Sequence, residues 1–175
     1  MVRKFYRLNL LCLLLMTISL SSGIAQQRGA ATGKRKARPK ENSEQRAQSL
    51  RTLAKRVGIG SGSVIADIGA GAGRDTWVFA DIVGEDGRVF AEEIAESKTK
   101  TIQEEVEKRG LSQVQSVLGT PTDPSLPRDA VDMAFMHHVY HHVSKPREML
   151  EGVWNSLKPG GHFVIIDQRL GTLVD

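Results

Sequence analysis

Three glycines alternate with small residues in the segment DIGAGAG at positions 67–73, directly after a short apolar run. Because glycine tolerates positive φ angles and has no side chain, a ligand can lie against the bare main chain of such a loop. A glycine-rich turn between a strand and a helix is typical of nucleotide-type cofactor sites. The dinucleotide fingerprint has Gly or Ala at its sixth position, where this sequence has Arg74, so a hydride-transferring enzyme is disfavoured. A turn made only for tight packing of strand and helix stays open as an alternative.

Two carboxylates, Glu92 and Glu93, stand at the end of the next apolar run. A carboxylate at the end of a second parallel strand can accept hydrogen bonds from both hydroxyls of a ribose. Glu93 follows the run by the offset at which ribose-binding acids occur, and we therefore favour it over Glu92. By itself the pair would indicate only a solvated edge, since surface glutamates are common. Its conjunction with the glycine loop indicates a cofactor site.

Four of the five histidines fall within six residues, at positions 137, 138, 141 and 142. If this segment is helical, they form two pairs at the i,i+4 spacing that zinc sites use. A metal site needs a third ligand, and the segment has neither a cysteine nor a His-x-Glu signature, so we predict no metal. Imidazole accepts protons near neutral pH, which makes His137 and His141 candidates for a general base. The alternative is that some of these histidines have only a structural role, as helix or core residues.

Alternating elements must position these groups. Apolar residues at helical spacing predict a leading helix over 43–57, with Ser43 as its N-cap and Gly58 as its stop. Strands are predicted over 63–68, 88–92, 114–118, 130–136 and 162–167, and further helices over 74–83, 95–109 and 144–157. This alternation predicts βαβ units and an α/β fold with a doubly wound, mostly parallel sheet. Ligands of such sheets bind outside the carboxyl ends of the strands, where the loop, the glutamates and the histidines fall.

The whole pattern resembles the class I (Rossmann-like) S-adenosylmethionine-dependent methyltransferases over roughly residues 45–170. The segments that carry the resemblance are the glycine loop, VFAEEI at 89–94, DAVDMAF at 129–135 and LKPGG at 157–161. The resemblance implies S-adenosyl-L-methionine as the cofactor, with Gly69, Gly71 and Gly73 against its methionyl part. It also implies that Asp67 orients the loop and the amino group and that Glu93 holds the ribose.

The sequence departs from the family after the third strand. The family often has an Asp there that meets the adenine amino group, and this sequence has GTPTD at 119–123. Thr120 occupies the usual acidic place, and Asp123 is the candidate substitute. The resemblance further implies that the histidine-rich segment passes over the sulfonium, where His or Tyr shapes the acceptor pocket. Positioning supplies much of the catalysis of methyl transfer, and His137 or His141 acts as a base only if the acceptor loses a proton.

The predicted function is methyl transfer to an unidentified, small-molecule acceptor. The alternatives are a non-catalytic module that binds S-adenosylmethionine or a nucleotide and, less favoured, an NAD-binding Rossmann protein. The resembling fold has seven strands, and this chain ends eight residues after Asp167, so we expect it to be short by about two strands at its C-terminus. Strand 162–167 would then be an exposed apolar edge, which a second copy in a homodimer or another partner would cover.

Composition and charge separate a tail from a domain. The 175 residues, 40% of them hydrophobic and 25% charged, fit one globular domain plus a tail and exclude collagen, coiled coils and wholesale disorder. The formal charge is +4, but residues 1–25 carry three bases, residues 26–40 carry six, and neither segment carries an acid. The remainder carries fifteen bases against all twenty acids. A basic groove across the fold is therefore disfavoured, and no nucleic-acid partner is predicted.

Residues 1–25 have the pattern of a secretory signal peptide: bases, an apolar centre too short to span a bilayer, and small residues before Ala25. We expect export to the periplasm or the outside, a basic flexible linker over 26–42 and a methyltransferase-like α/β domain over 43–175. The bases that follow the apolar run favour an alternative, an uncleaved membrane anchor that keeps the domain in the cytoplasm. Membrane contact is expected only through residues 1–25.

Overall fold

The computed structural model describes residues 42–167. Over this range, helices and strands alternate as predicted. In chain order they are α1 (Ser43–Arg56), β1 (Val64–Ile68), α2 (Arg74–Val83), β2 (Arg88–Glu93), α3 (Glu96–Arg109), β3 (Val114–Leu118), β4 (Val131–His137), α4 (Pro146–Ser156) and β5 (Leu157–Ile166). A single 3-10 turn, Tyr140–His142, lies between β4 and α4.

The predicted signal peptide over 1–25 and nearly all of the predicted linker over 26–42 lie outside the described residues. Export, or the alternative of a membrane anchor, therefore stays a prediction. Between residues 42 and 167, no helix is long and apolar enough to cross a membrane.

The five strands described here form one sheet in the order β3-β2-β1-β4-β5. Every pair of neighbours is parallel. The chain runs outward from β1 through β2 and β3, and then continues on the other side of β1 with β4 and β5. The carboxyl ends of β1 and β4 thus adjoin at the point where the direction reverses, which is where ligands bind in open α/β sheets. The predicted α/β class with a doubly wound parallel sheet is confirmed.

Both faces of the sheet are covered by helices. On one face α1, α2 and α3 pack on the sheet, where the ring of Phe79 from α2 meets that of Phe135 from β4 edge to face, with centroids 5.0 Å apart. On the other face α4 contributes Met149 and Val153. Because neither face of β1 or β4 meets water, these strands are nearly continuous apolar runs in the sequence.

The start of α1 differs from the prediction. Its N-cap is Asn42 rather than Ser43, because the Asn42 side chain accepts a hydrogen bond from the Gln45 N–H at 2.8 Å. The Gln45 side chain in turn accepts one from the Asn42 N–H at 3.3 Å. This reciprocal capping box needs a glutamine or glutamate three residues after the cap, which Asn42 has and Ser43 lacks.

The elements after β4 also differ in extent. α4 begins at Pro146 instead of residue 144, since proline suits the first helical position and disfavours helix in the residue before it. β5 begins at Leu157 instead of residue 162, and its pairing with β4 shifts register between Val131 and Met133. The LKPGG segment thus belongs to the strand, and its two glycines lie in the irregular first part of β5.

Candidate functional site

The glycine loop joins β1 to α2 at the carboxyl edge of the sheet. Gly69, Gly71 and Gly73 have φ angles of 70°, 61° and 74°, which favour glycine. A Cβ atom at Gly69 would lie 2.5 Å from the Val139 side chain, and one at Gly73 would collide with the Trp77 ring. A Cβ atom at Gly71 would meet nothing within 4 Å. The fold itself therefore requires glycine at two of these positions, whereas Gly71 presents bare backbone to open space.

Two buried carboxylates hold this loop from β2. Oε1 of Glu93 accepts hydrogen bonds from the Gly71 N–H at 2.8 Å and from Lys98 Nζ at 3.2 Å. Oε2 of Glu92 accepts one from the Gly69 N–H at 3.1 Å. The exposed fractions of Glu92 and Glu93 are 1% and 4%, so the pair is not a solvated edge. Glu93, predicted to hold a ribose, lies beside the open face of Gly71.

Glu92 carries a buried oxygen that lacks a hydrogen-bond partner among the described residues, Oε1. It lies against Gly119, where any Cβ atom would collide with it. Burial raises the pKa of Glu92 to about 7, helped by the negative charges of Glu93 and Asp67 and opposed by the hydrogen bond from Gly69. The sequence pattern favoured Glu93 as the functional acid and gave Glu92 no role.

Asp67 is the last residue but one of β1 and bonds to Thr76 of α2. Its carboxylate accepts a hydrogen bond from Thr76 Oγ1 at 2.6 Å, and the residue is 3% exposed. Burial raises the pKa of Asp67 to about 7, although the bond from Thr76 lowers it. A cation brought next to this carboxylate would restore its ionised form, because opposite charges favour each other most strongly where water is excluded.

A polar cluster unites α1, α2 and β4 beside the loop. Asp75 is paired with Arg46 through Nε and through Nη2, the latter at 2.6 Å. Oδ2 of Asp75 also lies 2.9 Å from His137 Nδ1, which is 2.8 Å from Arg46 Nη2. Burial raises the pKa of Asp75, but the hydrogen bonds from His137 and Arg46 outweigh it and hold that pKa below its usual value. We define Arg46, Asp75 and His137 as the arginine cluster.

A cavity of about 240 Å³ lies between the glycine loop and the arginine cluster. Typical drug-sized ligands fill roughly 300 Å³ or more, so this cavity suits the polar end of a ligand rather than a whole one. The residues that line it are Arg46, Asp67, Gly69, Ala70, Gly71, Ala72, Arg74, Asp75 and His137. It therefore combines four predicted site residues with Arg46 and Asp75, which the sequence analysis missed.

Thr120 and Asp123 bond mainly to each other. The Thr120 N–H donates to the Asp123 carbonyl at 2.8 Å, and the Asp123 N–H donates to Thr120 Oγ1 at 2.9 Å. The Asp123 carboxylate accepts the Ser125 N–H at 2.7 Å. The loop adjoins β2, because the Gly119 N–H donates to the Glu93 carbonyl at 3.0 Å. The predicted pair is thus placed next to the buried glutamates, outside the cavity of 240 Å³.

The histidine-rich segment is not a continuous helix, so the condition for the i,i+4 pairs is not met. His137 is the last residue of β4, and His138 turns the chain with a φ of 56°. Only the 3-10 turn that includes His141 and His142 follows. The ring centroids of His137 and His138 lie 4.7 Å apart. Within residues 42–167, no group of three His, Cys, Asp or Glu side chains is arranged to hold a metal ion.

The two predicted base candidates have different surroundings. His137 is 10% exposed and belongs to the arginine cluster. His141 is 31% exposed, and its Nδ1 lies 2.6 Å from Asp167 Oδ1. The two positions are equivalent in the sequence analysis, but only the second leaves a ring accessible to solvent.

Residues 66–165, more than half of the chain, match the family described as methyltransferase domain. The match begins in β1 and ends in β5, so it includes the glycine loop, both glutamates and the histidine-rich segment.

Individual relatives agree with this family. UbiE of Hydrogenovibrio crunogenus, a ubiquinone/menaquinone biosynthesis C-methyltransferase, is 27% identical over 111 residues, 63% of this chain and 44% of that protein. The uncharacterized methyltransferase YcgJ of Bacillus subtilis is 32% identical over 104 residues, 59% of this chain and 40% of that one. The chain therefore spans about half the length, or less, of these curated relatives.

Solved structures also share the fold. The crystal structure of a SAM-dependent methyltransferase from Aquifex aeolicus superposes with a TM-score of 0.64 at 27% identity, covering 73% of each chain.

Proposed function

The chain belongs to the methyltransferase domain family, and from this we propose that it transfers a methyl group from S-adenosyl-L-methionine to a small-molecule acceptor. The Aquifex aeolicus structure is that of a SAM-dependent methyltransferase, which supports the predicted cofactor. The predicted family is confirmed, and the acceptor stays unidentified.

The observation that carries the proposal is the buried carboxylate of Asp67 beside the open backbone of Gly71. S-adenosyl-L-methionine ends in an amino acid, which has an ammonium group and a carboxylate. An ammonium group next to Asp67 would offset the burial that raises its pKa. The open space over Gly71 leaves room for the methionyl chain. The residues present therefore fit the cofactor.

Other residues would hold the remaining parts of the cofactor. Arg46 lines the same cavity and offers a guanidinium group to the methionyl carboxylate. Glu93 would accept the ribose hydroxyls, since its carboxylate already lies at the loop and is partly neutralised by Lys98. Thr120 and Asp123 remain the residues proposed to lie near the adenine, together with the neighbouring Glu92.

When bound, the cofactor supplies a sulfonium-activated methyl group. The protein's contribution is to bind and orient both reactants and to exclude water, because in-line displacement depends mainly on positioning. The glycine loop would hold the cofactor, and the segment after β4, whose Val139 packs over Gly69, would border the acceptor.

We also propose that two copies associate through β5. This strand lies at the edge of the described sheet, and its Ile165 and Ile166 are 41% and 38% exposed. An apolar edge strand offers unpaired main-chain groups to a second strand. Analytical ultracentrifugation of the full chain tests this: Ile165→Lys should convert dimers to monomers, and a monomeric wild-type protein contradicts the proposal.

Calorimetry with S-adenosylhomocysteine tests cofactor binding by the full chain. Glu93→Ala should weaken binding by about tenfold or more, since a hydrogen-bonded carboxylate is removed from the ribose. Glu96→Ala is the matched control, because Glu96 is 69% exposed and pairs only with Lys100 on α3 among the described residues. Unchanged binding by Glu93→Ala contradicts the proposed site.

Two further measurements separate the alternatives. Binding of NAD without binding of S-adenosylhomocysteine would indicate the dinucleotide alternative. Release of S-adenosylhomocysteine from S-adenosylmethionine in the presence of small hydroxyl, amine and thiol compounds distinguishes an enzyme from a module that only binds.

A further inference from the structure

Asp167, the residue after β5, holds His141 by two hydrogen bonds. Its Oδ1 lies 2.6 Å from His141 Nδ1, and its Oδ2 accepts the main-chain N–H of His141 at 3.0 Å. One carboxylate thus fixes both the backbone and the ring of His141. The exposed fraction is 31% for the His141 side chain and 13% for that of Asp167, so the ring is reachable while its partner is shielded.

This contact determines which nitrogen of His141 is available. A carboxylate only accepts hydrogen bonds, so Nδ1 must carry the hydrogen in the bond to Asp167. The neutral ring then has its lone pair on Nε2, which can take up a proton from another molecule. The arrangement of a base oriented by a carboxylate recurs in enzymes that remove a proton during catalysis.

Two further histidines lie beside the pair formed by His141 and Asp167. His138, at the end of β4, has its Nδ1 3.9 Å from Asp167 Oδ1. His142, from the same 3-10 turn, has its ring centroid 4.0 Å from that of His141. Asp167 is the acidic member of the group, and the two other imidazoles lie beside it.

The fold brings this pair to the edge of the sheet that carries the glycine loop. Residue His137 of β4 pairs with Ile166 of β5, so the next residues, His138 and Asp167, leave the sheet side by side. The His138 N–H donates to the Ile166 carbonyl at 2.8 Å as the chain turns. Val139 then packs over Gly69, two residues before His141.

We propose that His141 is the catalytic base of this methyltransferase, that Asp167 is its positioning residue, and that the acceptor is a hydroxyl compound. This inference rests on the proposed function. The alternative candidate, His137, has its Nδ1 engaged by Arg46 and Asp75 and a side chain that is only 10% exposed. It belongs to the cavity assigned to the amino-acid end of the cofactor.

The step balances without any further reactant. The hydroxyl oxygen forms a bond to the methyl carbon while the bond from that carbon to sulfur breaks, and its electron pair stays on sulfur. The hydroxyl proton passes to Nε2 of His141 and is later released to water. A hydroxyl group needs this assistance, because aryl hydroxyls such as that of tyrosine ionise only near pH 10. An aryl thiol is far more acidic and attacks as the thiolate without a base.

The experiment compares 2-naphthol with 2-naphthalenethiol as acceptors for the full chain. His141→Gln should lower the methylation rate of the naphthol by about 100-fold or more, the usual contribution of a general base, and leave the thiol within about threefold. Asp167→Asn should lower the naphthol rate by about tenfold, because the ring is less well oriented. His162→Gln is the control, because His162 lies opposite Met133 within the sheet and away from the ends of β4 and β5, and neither rate should fall.

A second readout does not depend on turnover. Nitrogen NMR of the histidine rings above neutral pH should show His141 as the Nδ1–H tautomer in the wild-type protein and mainly as Nε2–H in Asp167→Asn. Calorimetry with S-adenosylhomocysteine should give wild-type affinity for both variants. If the wild-type protein does not bind S-adenosylhomocysteine, the proposed function fails, whereas normal binding with the opposite tautomer overturns only the assignment of His141.

Two outcomes of the rate comparison would also overturn the proposal. One is an equal loss on naphthol and thiol in His141→Gln, which indicates a structural role. The other is a wild-type protein that methylates the thiol and not the naphthol.

Discussion

The two halves of the site use carboxylates in opposite ways. At the ends of β1 and β2, buried Asp67 and Glu92 have their pKa values raised to about 7, because burial disfavours their charged forms. At α2, Asp75 has its pKa lowered, because hydrogen bonds from His137 and Arg46 outweigh burial. The first half is thus prepared to receive a cation, whereas the second is already paired within the protein. This difference separates a carboxylate that is available to a ligand from one that holds the arginine cluster together.

Removing the paired carboxylate should have the largest effect. Asp75→Asn removes the buried charge that pairs with the half-buried Arg46 guanidinium and should lower the free energy of unfolding by about 3 kcal/mol in urea titrations. Asp81→Asn is the matched control: Asp81 also joins α2 to α1, through Arg51 at 3.4 Å, but is 65% exposed, so its loss should cost about 0.5 kcal/mol or less.

The pH dependence of this effect has a definite sign. Because the pKa of Asp75 is lowered from 3.8, its stabilisation is complete above pH 3.8 and is lost below it, as the pH falls through the lowered pKa. Equal stability losses for Asp75→Asn and Asp81→Asn would show that the arginine cluster is no more than a surface ion pair.

The bare backbone of the glycine loop should be nearly as sensitive to substitution. Gly71→Ala places a methyl group in the open space over the loop and should weaken binding of S-adenosylhomocysteine by about 100-fold in calorimetry, or about 2.7 kcal/mol. Gly58→Ala has the same backbone penalty, since Gly58 also has a positive φ and open surroundings, but lies after α1. Each substitution should cost about 1 kcal/mol of stability. Tight binding by Gly71→Ala would place the ligand elsewhere.

Cofactor affinity should change with pH by about tenfold per unit below neutrality. The apo protein binds a proton at Asp67 below about pH 7, and an ammonium group beside Asp67 requires its ionised form. Binding therefore releases this proton, and affinity for S-adenosylhomocysteine should rise with pH up to about 7 and then level off. Asp67→Asn should bind weakly with no such dependence, and a flat profile for the wild-type protein would contradict the role of Asp67.

The last prediction concerns the pH dependence of stability at Glu92. Because burial raises its pKa from 4.5 to about 7, the wild-type protein should lose stability as the pH rises through that interval. Glu92→Gln lacks this ionisation, so its stability relative to the wild type should increase steadily as the pH rises through the interval. Urea titrations check this, with the exposed Glu96→Gln as the control that shows no such change.

Much of the fold follows from local patterns. The apolar runs and glycine stops predicted β1 to β4 and α1 to α3 to within one or two residues, because burial on both faces imposes a recognisable composition. The errors are local too. Ser43 and Asn42 are both good caps, and only the reciprocal bonds with Gln45 decide between them.

The sequence was less informative where a predicted role depends on two side chains that are distant in the sequence. The spacing of His137 and His141 would put them on one face if the segment were helical, but the structure separates them into a strand end and a 3-10 turn. No motif in the sequence singled out Arg46. Its partner Asp75 lies 29 residues away, and no local pattern links the two.

By itself, the sequence determined the class of fold, the glycine loop and the family, because periodicity and short motifs act over a few residues. Only the tertiary structure decided that Glu92 and Glu93 are buried against the loop, and that Asp75 joins Arg46 while Asp167 joins His141. These contacts connect residues that are 22 to 29 positions apart. The physical reason is that a hydrogen bond depends on ångström-scale placement, which is set by the packing of whole elements on the sheet rather than by the residues that form the bond.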